Sequence, residues 1–328
     1  MRCLFLNIYY EDFLKSHYAR NDIRHLEYME QWDSIQGAMF GDSDFYSRAI
    51  EKQGWEAHDL ITNCNTLQQQ WARENDYIGD KHLIWVEQIR RYQPDVVYSQ
   101  GLWLINDETY PLIKDHCKLI VGQVGSVLDN FESDYYDIIF TSHPEYPDKF
   151  REAGVESHYL PLAFEPRVWE RVKGQERDIP ISFIGQLTAG HTRRKVILDA
   201  LSGKFEVRQF IGNKWGMDMF NILARSYITI NCSHDYVYPY GGNMRLFEAT
   251  GCGALCLTEN FQNLPDFFTN FEVLAYNDAD HAVELVKHHL ENREDGEIAA
   301  ALGQVRTLKD HTYKNRMAEI VEILEARL

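Results

Sequence analysis

From end to end the chain alternates short runs of β-type residues with segments of helical pattern, and that alternation constrains its fold more than any other feature. The strand candidates of the first half are RCLFLNIY (2–9), WEAHDLI (55–61), DVVYSQG (95–101), KLIVGQVG (118–125), DIIFTS (137–142) and SHYLPLAF (157–164). Helical segments such as 41–54, 82–92 and 144–154 separate them, each ending at Gly or just before Pro. Strands separated by helices pair in parallel through right-handed crossovers, which gives an open α/β sheet. From Glu165 to Asp178 the pattern lapses into EPRVWERVKGQERD, a charged stretch with Pro and Gly that reads as a linker. The alternation then restarts with PISFIGQ (180–186), FEVRQFIGN (205–213), YITINCS (227–233), ALCLTE (254–259) and FEVLAY (271–276). Two doubly wound α/β domains are therefore expected, 1–165 and 178–310, followed by a C-terminal helix over 311–328. That helix places Met317, Ile320, Val321, Leu324 and Leu328 on one face, which must cover apolar surface of its own domain or of the first. Two such sheets set carboxyl end to carboxyl end leave a cleft, so ligands are expected on the loops that follow the strands.

Charge narrows the ligands. The 328 residues carry a formal charge of −17, which argues against nucleic acid or anionic lipid as a partner, because both are repelled by the average field. A local basic site for a small phosphate is compatible with it. Phe, Tyr and Trp make up 13% of the chain, a content that suits stacking on planar or polyhydroxylated ligands and equally suits a Tyr-rich core. The N-terminal MRCLFLNIYYEDF lacks the cleavage pattern of a secretory leader and no apolar run is long enough to span a membrane, so a cytoplasmic protein without a transmembrane anchor is expected. Cys3, Cys64, Cys117, Cys232, Cys252 and Cys256 form no C-x-x-C pair and read as buried free thiols, and no Cys/His spacing indicates a metal site.

Three segments carry chemistry. In YGGNMRLFEATGCGALCLTE (240–259), Gly241 and Gly242 free the backbone, Asn243 can cap a short helix, and Gly251 ends it before a buried strand. Glu248 on that helix can accept two hydrogen bonds from a ribose diol while the loop amides receive a diphosphate. A surface pair of Arg245 with Glu248 at i, i+3 is the plain alternative. In GQLTAGHTRRK (185–195), the spacing approaches a phosphate-binding loop, but His191 stands where the phosphate-reaching lysine belongs, which makes a kinase or ATPase a poor reading. Gly185, Gln186, His191, Arg193 and Arg194, with Lys195, still suit a diphosphate at a helix start, although a solvated basic turn has the same composition. HDYVYPYGG (234–242) could line a sugar pocket with its tyrosines or simply pack as a surface loop.

The run NMRLFEATGCGALCLTE resembles the donor-binding segment of GT-B-fold glycosyltransferases, in particular the group that includes the spore-maturation protein CgeB. HYLPLAFEP (158–166), FIGQL (183–187) and HTYKNRM (311–317) agree with that resemblance, which covers the C-terminal half well and the first 120 residues only by strand order. It implies two Rossmann-like domains facing across a cleft, with a nucleoside-diphosphate sugar as donor substrate on the second and no bound cofactor. The ribose would lie on Glu248, and Tyr240, Gly241, Gly242, Asn243 and Arg245 would lie near the phosphates or the sugar. Retaining relatives carry a second glutamate eight positions earlier, where this chain has Tyr240, so the stereochemistry stays open.

The first domain should supply the acceptor side and, for an inverting reaction, a base in the loop after the first strand, YYEDFLKSHYARND. His17 is the first choice because imidazole titrates near neutrality, with Asp12 and Glu11 beside it. The acidic DSD of 42–44 reads as a helix start rather than a metal motif. The expectation is a metal-independent glycosyltransferase that moves a sugar to an acceptor hydroxyl on a glycan, a lipid-linked molecule or a protein, in an undetermined oligomeric state. A non-hydrolysing sugar-nucleotide epimerase and a catalytically inactive structural protein of the same fold are the alternatives.

Overall fold

The computed structural model describes residues 1–125 and 133–328. They divide into two compact units, Met1–Leu160 with Arg316–Leu328, and Pro161–Asn315. The first unit holds a parallel sheet of β1 (Arg2–Asn7), β2 (Glu56–Ile61), β3 (Val96–Ser99), β4 (Leu119–Val124), β5 (Ile138–Thr141) and β6 (Glu156–Tyr159), in the order β2-β1-β3-β4-β5-β6. The second holds β7 (Ile179–Gly185), β8 (Arg208–Ile211), β9 (Ser226–Ile230), β10 (Leu255–Glu259) and β11 (Leu274–Tyr276), in the order β11-β10-β9-β7-β8, again all parallel. All eleven strands fall on the runs read from the sequence. They were legible because a parallel sheet is covered on both faces: β3, β4, β5, β9 and β10 are buried at every position.

The two sheets wind alike. Each chain pass places its second strand on one side of the first and its third on the other, so the strand order reverses between β1 and β3, and again between β7 and β9. Loops leaving the carboxyl ends of such a pair diverge to opposite faces, and the crevice between them is where α/β sheets bind ligands.

Three local expectations are corrected. The segment after β1 is a helix, Glu11–Arg20, and not a long loop; Phe13, Leu14, His17 and Tyr18 form its buried stripe. The stretch read as a linker contains the helix Pro166–Val172, because Glu165 accepts from Arg167 N at 3.1 Å, Pro166 suits the first helical position, and Val168 and Val172 are buried one turn apart. The helix of 41–54 starts only at Phe45, after Ser43 enters the left-handed region at φ 43°; Asp44 occupies its cap position but turns its carboxylate to Arg48 at 3.2 Å. The terminal helix, Tyr313–Glu325, buries Met317, Ile320, Val321 and Leu324. Its end is tied into the first unit by Trp55 Nε1, which donates to Glu325 at 3.2 Å, and by Arg327, which pairs with Glu156 at 2.6 Å.

Candidate functional site

At the switch point of the second unit, β7 ends at Gly185 and β9 at Ile230. The loop after β7 runs into the helix Thr192–Ser202, and the loop after β9 runs through Gly241 and Gly242 into the helix Met244–Gly251. Arg194 holds the two loops together. Its Nε and Nη2 donate to Cys232 O at 3.0 and 2.6 Å, and its Nη1 donates to Gln186 O at 2.6 Å. Burial lowers its pKa, yet the carbonyl dipoles around it take the place of a counter-ion.

The start of the helix Thr192–Ser202, expected to receive a diphosphate, already holds an anion. Asp235 accepts from Thr192 N at 2.7 Å and from Arg193 N at 3.3 Å. Burial opposes its charge, but these N–H donors outweigh it and hold the carboxyl below its usual range. A carboxylate there shows that the helix terminus is built for negative charge. The Asp235 loop is seated closely: Asp235 N donates to Gly190 O at 3.1 Å, and a Cβ on Gly190 would collide with the His234 ring. Arg193 lies over the Tyr238 ring at 4.0 Å and pairs with Glu259 at 2.5 Å, while Glu259 also accepts from Ser233 N at 2.8 Å. Lys195 is exposed.

His191 takes no lysine-like role. Its Nδ1 accepts from Thr188 N at 3.0 Å, which leaves the ring proton on Nε2, and burial together with Arg194 and His234 pushes its pKa down to about 4. It is a neutral donor at physiological pH.

The helix Met244–Gly251 carries the other expected residues. Asn243 precedes it in extended conformation without capping it; its Nδ2 donates instead to Asn231 Oδ1 at 3.0 Å. Glu248 accepts from Arg245 Nη1 at 2.7 Å, with both side chains largely buried, so the pair is an interior one and not a solvated surface pair. Burial raises the Glu248 pKa and Arg245 opposes that rise. Asn243 Oδ1, Arg245 Nε and Ser233 Oγ are buried with no hydrogen-bond partner among the described residues. Buried polar atoms are ordinarily paired, so three unpaired ones on the loop after β9 and the helix that follows it fit a polar ligand.

The glycines have specific causes. Gly241 is clamped by Asn263, whose Oδ1 accepts from Gly241 N at 3.0 Å and whose Nδ2 donates to Gly241 O at 3.3 Å. A Cβ on Gly241 would stand 2.5 Å from the Phe261 ring; Gly242, at φ 104°, would meet Phe267 at 2.9 Å. Gly251 is required by the Phe164 ring, and the left-handed residue that turns the chain toward β10 is Gly253, at φ 73°. Tyr240 donates its backbone N–H to Val237 O at 2.9 Å. The sequence reading did not single out Asp235, Glu259, Asn231, Ser233 or Asn263. Each is a polar residue at or just after the end of a strand of this sheet, and that position is the signal that could have found them.

The three residues expected to supply a base are not gathered into one place. Glu11 is exposed and pairs with Lys15 at 2.9 Å, and Asp12 is exposed on the same helix. His17 points inward, 9% exposed, with Nε2 3.0 Å from Ser34 Oγ, and burial followed by Arg20 lowers its pKa. Among the described residues no three His, Cys, Asp or Glu side chains converge as a metal-binding group, and no helix is long and apolar enough to cross a membrane.

Comparison with known proteins places these observations. A family described as glycosyl transferase-like matches residues 188–322, which contain every second-unit residue expected to bind the donor except Gly185 and Gln186. No curated protein matches the chain in sequence. A glycosyltransferase from Rickettsia africae is similar in structure with a TM-score of 0.62 at 8% identity, covering 99% of this chain and 98% of that one. HepE from Anabaena, solved with UDP and glucose, has a TM-score of 0.57 at 10% identity, covering 99% and 100%. A putative UDP-N-acetylglucosamine 2-epimerase from Listeria monocytogenes has a TM-score of 0.52 at 10% identity, covering 99% and 96%. The fold is the GT-B architecture of two Rossmann-like α/β units.

Proposed function

We propose that this protein is a glycosyltransferase that takes a sugar from a nucleoside-diphosphate sugar and passes it to an acceptor hydroxyl, with no obligatory metal ion. The observation that carries the reading is the buried Glu248–Arg245 pair, one turn into a helix that opens from the Gly241–Gly242 loop, inside the segment matched by the glycosyl transferase-like family. In this reading Glu248 accepts from the ribose diol. The diphosphate lies against the start of the helix Met244–Gly251, where N–H groups and Arg245 meet its charge; at the start of the helix Thr192–Ser202 it would have to displace Asp235. As the bond to the sugar breaks, negative charge grows on the leaving diphosphate, and donors already fixed in place stabilise it without reorganising. His191 Nε2–H adds a neutral donor there. Of the first-unit candidates, Asp12 and Glu11 are open to an acceptor and His17 is not.

The test is calorimetry with a panel of UDP, GDP, dTDP, CDP and ADP sugars. The wild type binds one class and Glu248→Ala does not; unchanged affinity in the variant overturns the assignment. The epimerase reading has the Listeria structure in its favour. Incubation with the nucleotide sugar alone separates the two, since an epimerase converts its substrate without an acceptor, whereas a transferase gives at most slow hydrolysis.

A further inference from the structure

The first unit carries ligand-type features at its own switch point that the donor site does not use. Leu6 of β1 stands opposite Ser99 of β3, and Gln100 N donates to Leu6 O at 3.1 Å, so the two strands end side by side. Tyr10 follows β1 and Trp103 follows β3, so these two residues leave from adjacent strand ends at the reversal of strand order. Both are 65% exposed, against the strong tendency of large aromatic side chains to be buried.

Neither ring is loose. The Trp103 indole lies over Gly101, where a Cβ would stand 2.9 to 3.1 Å from three of its ring atoms, so the glycine leaves room for a flat ring against the backbone. The Tyr10 ring meets Phe40 edge to face at 5.4 Å; Phe40 in turn stacks on Phe13 at 4.0 Å and meets Tyr9 at 5.3 Å. Phe40 is held in a loop whose Met39 and Ser43 are non-glycine residues at φ 55° and 43°. Backbone strain of this kind persists where the surroundings enforce it, and it gathers at binding sites. Next to β3, Gln100 Nε2 is buried with no hydrogen-bond partner among the described residues. The strand ends thus carry two exposed aromatic rings, each in contact with the fold, and one buried amide donor without a partner among the described residues.

A pyranose ring presents a face of C–H groups with partial positive charge, which matches the negative face of an aromatic ring, and its hydroxyl oxygens accept hydrogen bonds. We propose that the carboxyl edge between β1 and β3 is a carbohydrate site, in which Tyr10 and Trp103 stack on sugar rings and Gln100 donates to a hydroxyl. It follows that the acceptor is a saccharide, a consequence that rests on the transferase reading; the binding site does not.

The test uses the full-length protein on a glycan array, followed by calorimetry with cellobiose, maltose, lactose, chitobiose and mannobiose, while melting shifts with UDP, GDP, dTDP, CDP and ADP report the donor site. Trp103→Ala and Tyr10→Ala should each weaken saccharide binding about 10-fold or more, and Trp103→Phe should retain part of it, with the nucleotide-induced shift unchanged in all three. Equal saccharide binding by wild type and both alanine variants overturns the proposal. So does a blank array, and so does an array on which the signal comes from protein or nucleoside controls. A blank array with the nucleotide shift intact removes this site and leaves the transferase reading; saccharide binding without any nucleotide response does the reverse.

Discussion

Both sheets reverse their strand order beside their first strand, yet the two units treat buried charge in opposite ways. In the second unit Glu248 is paired with Arg245, Glu259 with Arg193, and Asp235 with two backbone N–H groups, so each carboxylate there has a donor within hydrogen-bond reach. In the first unit Asp59 is fully buried on β2, with Asn7 Nδ2 donating to it at 3.1 Å, and the nearby cation, Arg48, engages Asp44. Burial pushes its pKa up to about 8; Asp44 adds to the rise, and hydrogen bonds from Ser47 and Asn7 oppose it. That carboxyl keeps its proton at neutral pH. The difference teaches that the carboxylates around the reversal of the second sheet come with donors that meet their charge, whereas the first sheet hides its carboxyl in mid-strand, opposite Phe5 of β1 and away from the β1–β3 edge.

The comparison breaks most visibly at Glu248. Removing one partner of a buried pair leaves the other uncompensated, so Glu248→Ala should lower stability by about 3–5 kcal/mol in urea denaturation. Glu248→Gln keeps the shape and an acceptor for Arg245 and should cost less, which lets its loss of donor affinity be read apart from folding. A Glu248→Ala variant as stable as wild type would mean the pair is solvated.

The next effect is on pH. The folded pKa of Asp59 is raised, so its contribution is full below the unfolded value near 3.8 and is lost as pH rises through about 8. His191 has the opposite sign: its folded pKa is depressed from 6.5 to about 4, so its contribution is present above 6.5 and lost as pH falls toward 4. His58, half-buried and stacked on Trp32, acts in the same direction as His191. Between pH 6.5 and 8 Asp59 therefore acts without opposition from these imidazoles, and wild-type stability should fall as pH rises while Asp59→Asn shows a flatter profile. Parallel profiles would show that Asp59 ionises in the fold.

A smaller effect sharpens the picture of the second edge. Asp235→Ala removes a helix cap and should cost about 1 kcal/mol. If a diphosphate takes over the freed N–H groups, saturating nucleoside diphosphate should raise the melting temperature more in Asp235→Ala than in wild type. An equal rise would place the diphosphate away from that helix.

The site was legible in part. The short helix that carries Arg245 and Glu248, with the glycine loop before it and the buried strand after it, was legible from the local run alone. The reason for the glycines was not legible, since the Phe261 and Phe267 rings and the Asn263 clamp that require them come from beyond the next strand. Arg193 and Arg194 were read as suiting a diphosphate or as part of a solvated basic turn; the structure holds them on Glu259 and on two carbonyls. His17 was read in a loop although Phe13 with His17 and Leu14 with Tyr18 stand one helical turn apart, a spacing that signals the helix Glu11–Arg20.

By itself, then, the sequence determined the two parallel sheets, because covered strands must be apolar throughout and strands separated by helices have only parallel pairing open to them. It also determined which segment holds the Glu248 helix. The tertiary structure decided which charges meet. Asp235 reaches Thr192 across 43 residues of chain, and Glu259 meets Arg193 across a longer span, because β7, β9 and β10 lie side by side in an order that local residue patterns do not encode. The same is true of Tyr10 and Trp103, which far-separated segments bring to neighbouring strand ends only once β3 has paired with β1.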